Sequence, residues 1–383
     1  MRILNSTTLH GWSAGSWYAI EMMRGLRSAG HEIHFLVPEG RTASAAREEG
    51  FTLHEGPDLR HVPIISFRGV LKRLKALRDE IEPDVVIAHN GSDHTWWGLL
   101  SAGVRMGKVP PLVRLRAHDP RPPASHPAAR WLSRSRTTAF IVASESQRRA
   151  HAARLKPRPG SLFRIPPGFE SALWQDGPDG TRIREACGAD RDTIVVTSIA
   201  RFAPQKDHDT FFAAADQVAR QLPSERIHFL VAGYSAEYDA DHIRGIAARY
   251  PALDGRWTLF EERLADGREL VRSADIGVVH SQASEAICRV AFEYMASGVP
   301  VVAARTGSLP EVIVDGRSGL LVDAGDVEAM AGAISRLILS SGLRSRLTRE
   351  ATNRILTVFE YARAVRQFES RLQIISDGPA RNT

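Results

Sequence analysis

In the segment Ser284–Thr306, SEAICRVAFEYMASGVPVVAART, two carboxylates, Glu285 and Glu293, stand with seven residues between them in an apolar helical pattern. Gly298-Val299-Pro300 and a β-branched run follow. A buried carboxylate is costly unless something meets its charge, and an ion pair with a neighbour such as Arg289 is the simplest partner. Upstream, Arg201 and Lys206 leave the end of an apolar run five positions apart, just before a helical pattern. A guanidinium fork, an ammonium and the positive end of a helix together suit a diphosphate; a pair of solvated surface charges is the plainer account. Gly307-Ser308-Leu309-Pro310-Glu311 is a second loop after a strand, with backbone N–H groups able to meet phosphate oxygens.

Other polar groupings speak more softly. His89-Asn90-Gly91-Ser92-Asp93-His94 has the make-up of a polar cleft loop, and His89 and Asn90 are candidate ligand-binding residues. Its histidines lack a metal-ligand partner set. Trp12 and Trp17 flank Ala14-Gly15-Ser16 and offer either a flat stacking surface for a ligand or ordinary packing. Asp239-Ala240-Asp241 spells a pair of metal-binding acids but precedes the helical run Ile243–Tyr250, where it reads as an N-terminal cap. No metal site is expected. Cys187 and Cys288 cannot build a disulfide framework or a thiolate zinc site, and Cys288 reads as packing rather than as a nucleophile.

The elements that hold these residues alternate between short apolar strands and helical periodicity. Met1–Ser6, a helix over Ser16–Ala29 and a strand over Ile33–Val37 form one βαβ unit with a small-residue loop after the first strand. Strands follow at Val85–Ala88, Leu112–Leu115 and Phe140–Ala143. After the Pro/Gly-rich Ile165–Gly180, a second series runs through Ile194–Ile199, His228–Ala232, Ile276–His280, Pro300–Ala304 and Gly319–Val322, with helices over Thr210–Gln221 and Glu293–Ser297. The pattern predicts an α/β protein of two doubly wound, Rossmann-like domains facing across a cleft, with ligands beyond the carboxyl ends of the strands. The expected boundaries are 1–170 for the N-terminal domain and 171–358 for the C-terminal domain. A C-terminal helix over 359–376 returns to the first domain, and 377–383 forms a disordered tail.

The C-terminal motifs resemble those of retaining glycosyltransferases of the GT-B fold, of the family-4 type (glycosyl transferases group 1). The resemblance rests on Glu285-x7-Glu293, on Met295-Ala296-Ser297-Gly298-Val299-Pro300-Val301-Val302, on Gly307-Ser308-Leu309-Pro310-Glu311-Val312-Ile313 and on the Arg201…Lys206 stretch. It implies that Glu293 accepts hydrogen bonds from the ribose hydroxyls of a nucleotide-diphosphate sugar and that Glu285 holds the transferred sugar. Arg201 and Lys206 then neutralise the diphosphate as the glycosidic bond breaks, without a metal or other cofactor. The family's Gly-Phe-Gly after the first glutamate is here Ala286-Ile287-Cys288, which bears on which donor sugar fits. In the first loop only Gly15 of the family's glycine pair remains, since Ala14 replaces the other. His118, in Arg116-Ala117-His118-Asp119 after a strand, matches a histidine often found near the reacting sugar. The N-terminal domain is expected to bind a glycan or lipid-linked acceptor.

Bulk composition narrows the rivals. The chain has 383 residues, 43% hydrophobic and 25% charged, the profile of a globular protein. No run reaches the ~18 apolar residues of a membrane span, and the N-terminus lacks the apolar stretch of a secretory signal. A cytoplasmic protein is expected. Residues 1–170 hold 25 Lys/Arg against 15 Asp/Glu, whereas the remainder holds 25 against 29. The basic half suits a phosphorylated acceptor or the anionic inner face of the cell membrane, and Ser66–Glu80 has the amphipathic pattern of a surface helix or of a membrane-surface helix. No nucleic-acid-binding signature is present. A nucleotide-sugar epimerase or phosphorylase of the same fold, and a non-catalytic anionic-membrane binder, are the alternatives. A nicotinamide oxidoreductase is disfavoured, because Gly11-x-x-x-Gly15 is not G-x-G-x-x-G.

Overall fold

The computed structural model describes all residues except 57, 58, 61, 63–65, 103–108, 117–125, 262, 263, 265, 284–286 and 379–383. The chain divides into two compact units, Met1–Gly168 with the chain from Tyr361 onward, and Phe169–Glu360.

The first unit runs β1 (Arg2–Ser6), α1 (Ala14–Ser28), β2 (Glu32–Leu36), α2 (Arg41–Glu48), β3 (Thr52–His54), α3 (Phe67–Ile81), β4 (Val85–Ala88), α4 (Gly91–Ala102), β5 (Leu112–Arg116), α5 (Pro127–Ser135), β6 (Ala139–Val142), α6 (Glu145–Leu155) and β7 (Leu162–Arg164). The second continues with α7 (Ala172–Gln175), α8 (Thr181–Ala186), β8 (Ile194–Ile199), α9 (His208–Gln221), β9 (Ile227–Ala232), α10 (Ala240–Ala247), β10 (Trp257–Phe260), α11 (Gly267–Arg272), β11 (Ile276–Val279), α12 (Arg289–Ala296), β12 (Val301–Ala304), α13 (Leu309–Val312), β13 (Leu320–Val322), α14 (Val327–Leu339) and α15 (Ser341–Val358). The chain then returns to the first unit as α16 (Tyr361–Asp377).

Among the described residues each unit carries one parallel sheet. The strand orders are β3-β2-β1-β4-β5-β6-β7 and β10-β9-β8-β11-β12-β13. Parallel sheets are covered on both faces, so their strands read as unbroken apolar runs. VVIA, IGVV and VVAA are buried throughout. In the second unit α9, α10 and α14 pack together over one core built on Phe211, Phe212 and Phe229, while α12 packs with α7, α11 and α15. Each such aromatic contributes about 1.5–3 kcal/mol on full burial. Strand order reverses between β1 and β4 in the first sheet and between β8 and β11 in the second. Such reversals open the crevice where ligands sit in doubly wound sheets.

Several boundaries differ from the sequence reading, each for a tertiary reason. The edge strands β3, β7 and β10 are absent from that reading, because three- or four-residue segments with partly exposed pleats carry little apolar signal. Helix α1 begins at Ala14, capped by Ser13 Oγ on the Ser16 N–H, so Gly15 lies inside the helix rather than in the preceding loop. Helix α12 covers Arg289–Ala296 rather than 293–297. Phe169 and Glu360 belong to the second unit, because Phe169 pairs with Glu360 in an isolated bridge and its N–H donates to the Phe359 carbonyl. Asp377 closes α16 rather than opening a tail, and the rest of the expected tail, 379–383, lies outside the described residues.

Helix α3 settles the use of its apolar stripe. Val70, Leu74 and Ile81 are buried in the first unit's core, with Leu71 and Leu77 packed beside them. Arg68, Lys72, Arg73 and Lys75 are exposed. That stripe is therefore spent on the protein interior, as in an ordinary surface helix.

Candidate functional site

The loops after β8 and β11 flank the chain reversal of the second sheet, and the first of them carries the cations Arg201 and Lys206 singled out above. After β8 the chain turns through Pro204–Lys206 in a single 3-10 turn. Asp207 then adopts a left-handed backbone, φ 54°, and serves as the N-cap of α9, its carboxylate accepting from the Thr210 N–H. Arg201 and Lys206 are both half-buried. Lys206 Nζ lies 3.4 Å from Ser281 Oγ, which places the ammonium at the mouth of the β11 loop.

Three further bonds tie the two loops. His280 Nδ1 meets the Asp207 carbonyl at 3.1 Å, the Gln282 N–H donates to the Gln205 carbonyl at 3.1 Å, and Gln282 Nε2 donates to Asp207 Oδ2 at 2.7 Å. A carbonyl only accepts, so His280 carries its proton on Nδ1 and its Nε2 accepts from Ser198 Oγ. Burial pushes His280 down to about 4 and its neighbour His208 down to about 3. Both rings are therefore neutral behind the cationic loop. Thr306 Oγ1, from the loop after β12, donates to the Ser281 carbonyl at 3.1 Å and joins the third loop to the group. Within that loop Ser308 Oγ is buried without a partner, and Arg354 of α15 pins α13 through the Glu311 and Val312 carbonyls, each at 2.7 Å.

Helix α12 holds the second carboxylate. Glu293 is 9% exposed, and its Oε1 lies 2.6 Å from Arg289 Nε, one turn earlier. Burial raises its proton affinity and Arg289 opposes that rise. The ion pair expected as the plainer partner for this glutamate is thus present. Next to it, Tyr294 donates from its hydroxyl to the Thr197 carbonyl of β8 at 3.0 Å, anchoring α12 to the sheet. The helix stops by a Schellman arrangement: Gly298 takes φ 79°, and the Val299 N–H reaches the Tyr294 carbonyl at 2.9 Å. Pro300 then cannot extend the helix, and β12 begins. Cys288 caps α12 without a side-chain hydrogen bond to it and is buried, as is Ile287. Glu285 and Ala286 lie outside the described residues.

In the first unit the candidates meet different surroundings. Gly15 and Trp17 are buried in α1, whereas Trp12 is half-buried in the loop before it. His89 is buried with Nε2 2.7 Å from Asn5 Oδ1, and the Asn90 N–H donates to Asp93 Oδ2 at 3.0 Å. Burial pushes Asp93 up to about 6. His118 lies outside the described residues. Asp239 caps α10 through the His242 N–H at 2.8 Å, and Asp241 pairs with Arg244. Among the described residues no group of three or more His, Cys, Asp or Glu is arranged to hold a metal.

The sequence reading missed His280, Ser281, Gln282 and Thr306. The one signal they gave was position, directly after strands β11 and β12 at a switch point.

Comparison with known proteins agrees with this arrangement. The family model "Glycosyl transferases group 1" matches residues 193–340, and "Glycosyltransferase Family 4" matches residues 15–173. A D-inositol 3-phosphate glycosyltransferase of Acidothermus cellulolyticus is 37% identical over 200 residues, covering 50% of this chain but 44% of that protein. D-inositol 3-phosphate glycosyltransferase 2 of Catenulispora acidiphila is 28% identical over 357 residues, covering 84% of this chain and 81% of that protein. The crystal structure of Anabaena Alr3699/HepE in complex with UDP superposes with a TM-score of 0.83 at 19% identity, covering 97% of this chain and 100% of that one. At that identity the likeness speaks for the fold alone.

Proposed function

Because this chain belongs to the glycosyltransferases of group 1 and family 4, we propose that it moves a sugar from a nucleotide-diphosphate sugar to an acceptor hydroxyl with retention at the anomeric carbon. The observation that carries the proposal is the bonded junction of the β8 and β11 loops, with Lys206 and Ser281 3.4 Å apart at the switch point.

In this reading the second unit binds the donor. Arg201, Lys206 and the N-terminus of α9 neutralise the diphosphate while the glycosidic bond breaks, doing electrostatically what a divalent ion does elsewhere. Glu293 accepts from the ribose hydroxyls and Glu285 from hydroxyls of the transferred sugar, so charge-assisted hydrogen bonds offset their desolvation. Ile287 and Cys288, beside Ala286, border the donor sugar. His118 and Gly15 contribute contacts to the sugar and diphosphate from the first unit. The departing diphosphate oxygen takes the acceptor's proton on the face from which it leaves, which gives retention.

The acceptor goes to the first unit, with Trp12, Trp17, His89 and Asn90 as its contacts. Two relatives above are named for D-inositol 3-phosphate, a polyol with one phosphate. The excess of Lys/Arg in residues 1–170 suits such an anionic acceptor. A lipid-linked or cell-envelope acceptor at the membrane surface is the second reading, favoured by the exposed cations of α3, although the buried apolar stripe of that helix leaves little to insert.

A direct assay decides it. Purified protein is incubated with UDP-, GDP- and ADP-sugars and either D-inositol 3-phosphate or glycolipid-bearing vesicles, with and without EDTA. Nucleoside diphosphate release that needs an acceptor, survives EDTA and yields a product with the donor's anomeric configuration is the expected result. Isomerised donor or phosphate-dependent cleavage would instead mark an epimerase or phosphorylase, and no turnover of any donor would sink the reading.

A further inference from the structure

Glu293 and Arg289 form a pair that the proposed chemistry does not explain by itself. A glutamate meant to grip hydroxyls is already engaged, with Arg289 Nε 2.6 Å from Oε1. The Nε–H is not aimed at that oxygen, so the pair is held by charge and proximity; an ionised carboxylate has about four lone-pair directions, which leaves room for two hydroxyl donors. The side chain of Glu293 is 11% exposed and that of Arg289 is 35% exposed. The carboxylate is thus nearly removed from water while its partner reaches the surface.

The surroundings supply no other described charge acting on Glu293. On its own helix, Tyr294 is a buried phenol whose hydroxyl is spent on the Thr197 carbonyl, and Cys288 is a buried thiol at the helix start. On α11, Glu269 pairs with Arg182, Arg268 with Asp266, and Arg272 donates to the Trp174 and Gln175 carbonyls. On α13 stands half-buried Glu311, and on α15 Arg354 donates to backbone carbonyls while Thr352 and Thr348 bond the carbonyls of Met295 and Gly298. The β11, β12 and α7 segments packed on α12 contain no charged residue. Glu285, eight positions before Glu293, lies outside the described residues.

We propose that Arg289 is a positioning residue for the donor: it stays on Oε1, keeps the buried Glu293 ionised at neutral pH, and leaves Oε2 and the free lone pairs of the carboxylate to the ribose diol. This rests on the reading of Glu293 as the ribose acceptor. Without Arg289 the same carboxyl, still buried, takes up a proton and loses acceptor capacity.

Two measurements on the full-length chain test it, with UDP, GDP and ADP as the probes. The first needs no ligand: the carboxyl carbon of Glu293 is followed by NMR in ¹³C-glutamate-labelled protein, assigned by its loss in Glu293→Gln. Wild type is ionised at neutral pH, and Arg289→Met titrates higher. The second is nucleotide affinity from about pH 5.5 to about pH 8.5. The nucleotide's own terminal phosphate titrates in this range for every protein, so the ratio of Arg289→Met to wild-type affinity is read: it falls as pH falls, approaching about tenfold per pH unit below the new midpoint of Glu293, and recovers at the alkaline end. Arg289→Lys restores a ratio that does not vary with pH. An unchanged Glu293 titration in Arg289→Met, or an affinity loss equal at every pH, overturns the proposal and leaves Arg289 a packing residue. If Glu293→Gln binds each nucleotide like wild type, the ribose reading fails instead, while the ligand-free titration still reports on Arg289.

Discussion

His280 Nδ1 donates to the Asp207 carbonyl at 3.1 Å, across 73 positions of sequence. Asp207 is a non-glycine residue in the left-handed region, a conformation costing about 1–2 kcal/mol. The His280 bond, the Gln282 bond and the cap on α9 together hold it there. The backbone that presents Lys206 is thereby fixed from β11 rather than from its own strand.

That arrangement gives unfolding a pH signature. His280 and His208 are pushed down to about 4 and about 3, chiefly by burial. The unfolded chain takes these protons near pH ~6.5 and the folded chain does not. The stabilisation is therefore complete above that value and is lost as pH falls through it, by about 1.4 kcal/mol per pH unit for each histidine. Chemical denaturation of wild type and His280→Gln between about pH 4.5 and 7.5 should show a shallower acid slope in the variant. Parallel slopes would mean that His280 is not held neutral.

Arg201 and Lys206 should act on the diphosphate and on little else. Arg201→Ala and Lys206→Ala should each weaken nucleoside diphosphate binding by about 1.5–3 kcal/mol, roughly 10- to 100-fold, with folding unchanged. Arg201→Lys should recover only part of the loss, since an ammonium cannot fork onto two oxygens. Calorimetry at two salt concentrations checks this; full affinity in Arg201→Ala would remove that residue from the site.

Helix α16 is predicted to be integral to the first unit through one close approach. A Cβ at Gly25 of α1 would come within 2.3 Å of Val365 Cγ2, and Tyr361 donates its hydroxyl to the Glu21 carbonyl at 2.6 Å. Gly25→Ala should cost about 1–3 kcal/mol through overpacking. Val365→Ala should recover much of that in the double variant, a coupling that separate unfolding measurements reveal. Additive losses would place the strain elsewhere.

The thiol of Cys288 should behave as filler, its place beside the donor sugar being taken by its backbone. It is 2% exposed, so iodoacetamide should label it only on unfolding. Cys288→Ala should cost about 1 kcal/mol of stability and leave turnover within a few fold. Loss of turnover in a folded Cys288→Ala protein would give the thiol a chemical role.

The helix α12 and its stop were legible because their causes are local. Apolar periodicity, Gly298 for a left-handed turn and Pro300 to end the helix act within a few residues. Strands β4, β8 and β12 were legible because parallel strands buried on both faces need unbroken apolar runs. The cations after β8 and the glutamates near α12 could be named from residue type and spacing alone. That the loop after β8 is bonded to the loop after β11 could not, because it depends on β8 and β11 becoming neighbours at a switch point while β9 and β10 are wound away to one side. Nor could the fate of His280: a histidine at a strand end reads the same whether it meets water or is buried between Ser198 and Asp207. Sequence by itself determined which groups this chain can bring to a reaction. Tertiary structure decided which of them are desolvated, paired and neutral, since burial and charge depend on partners that the chain supplies from far away.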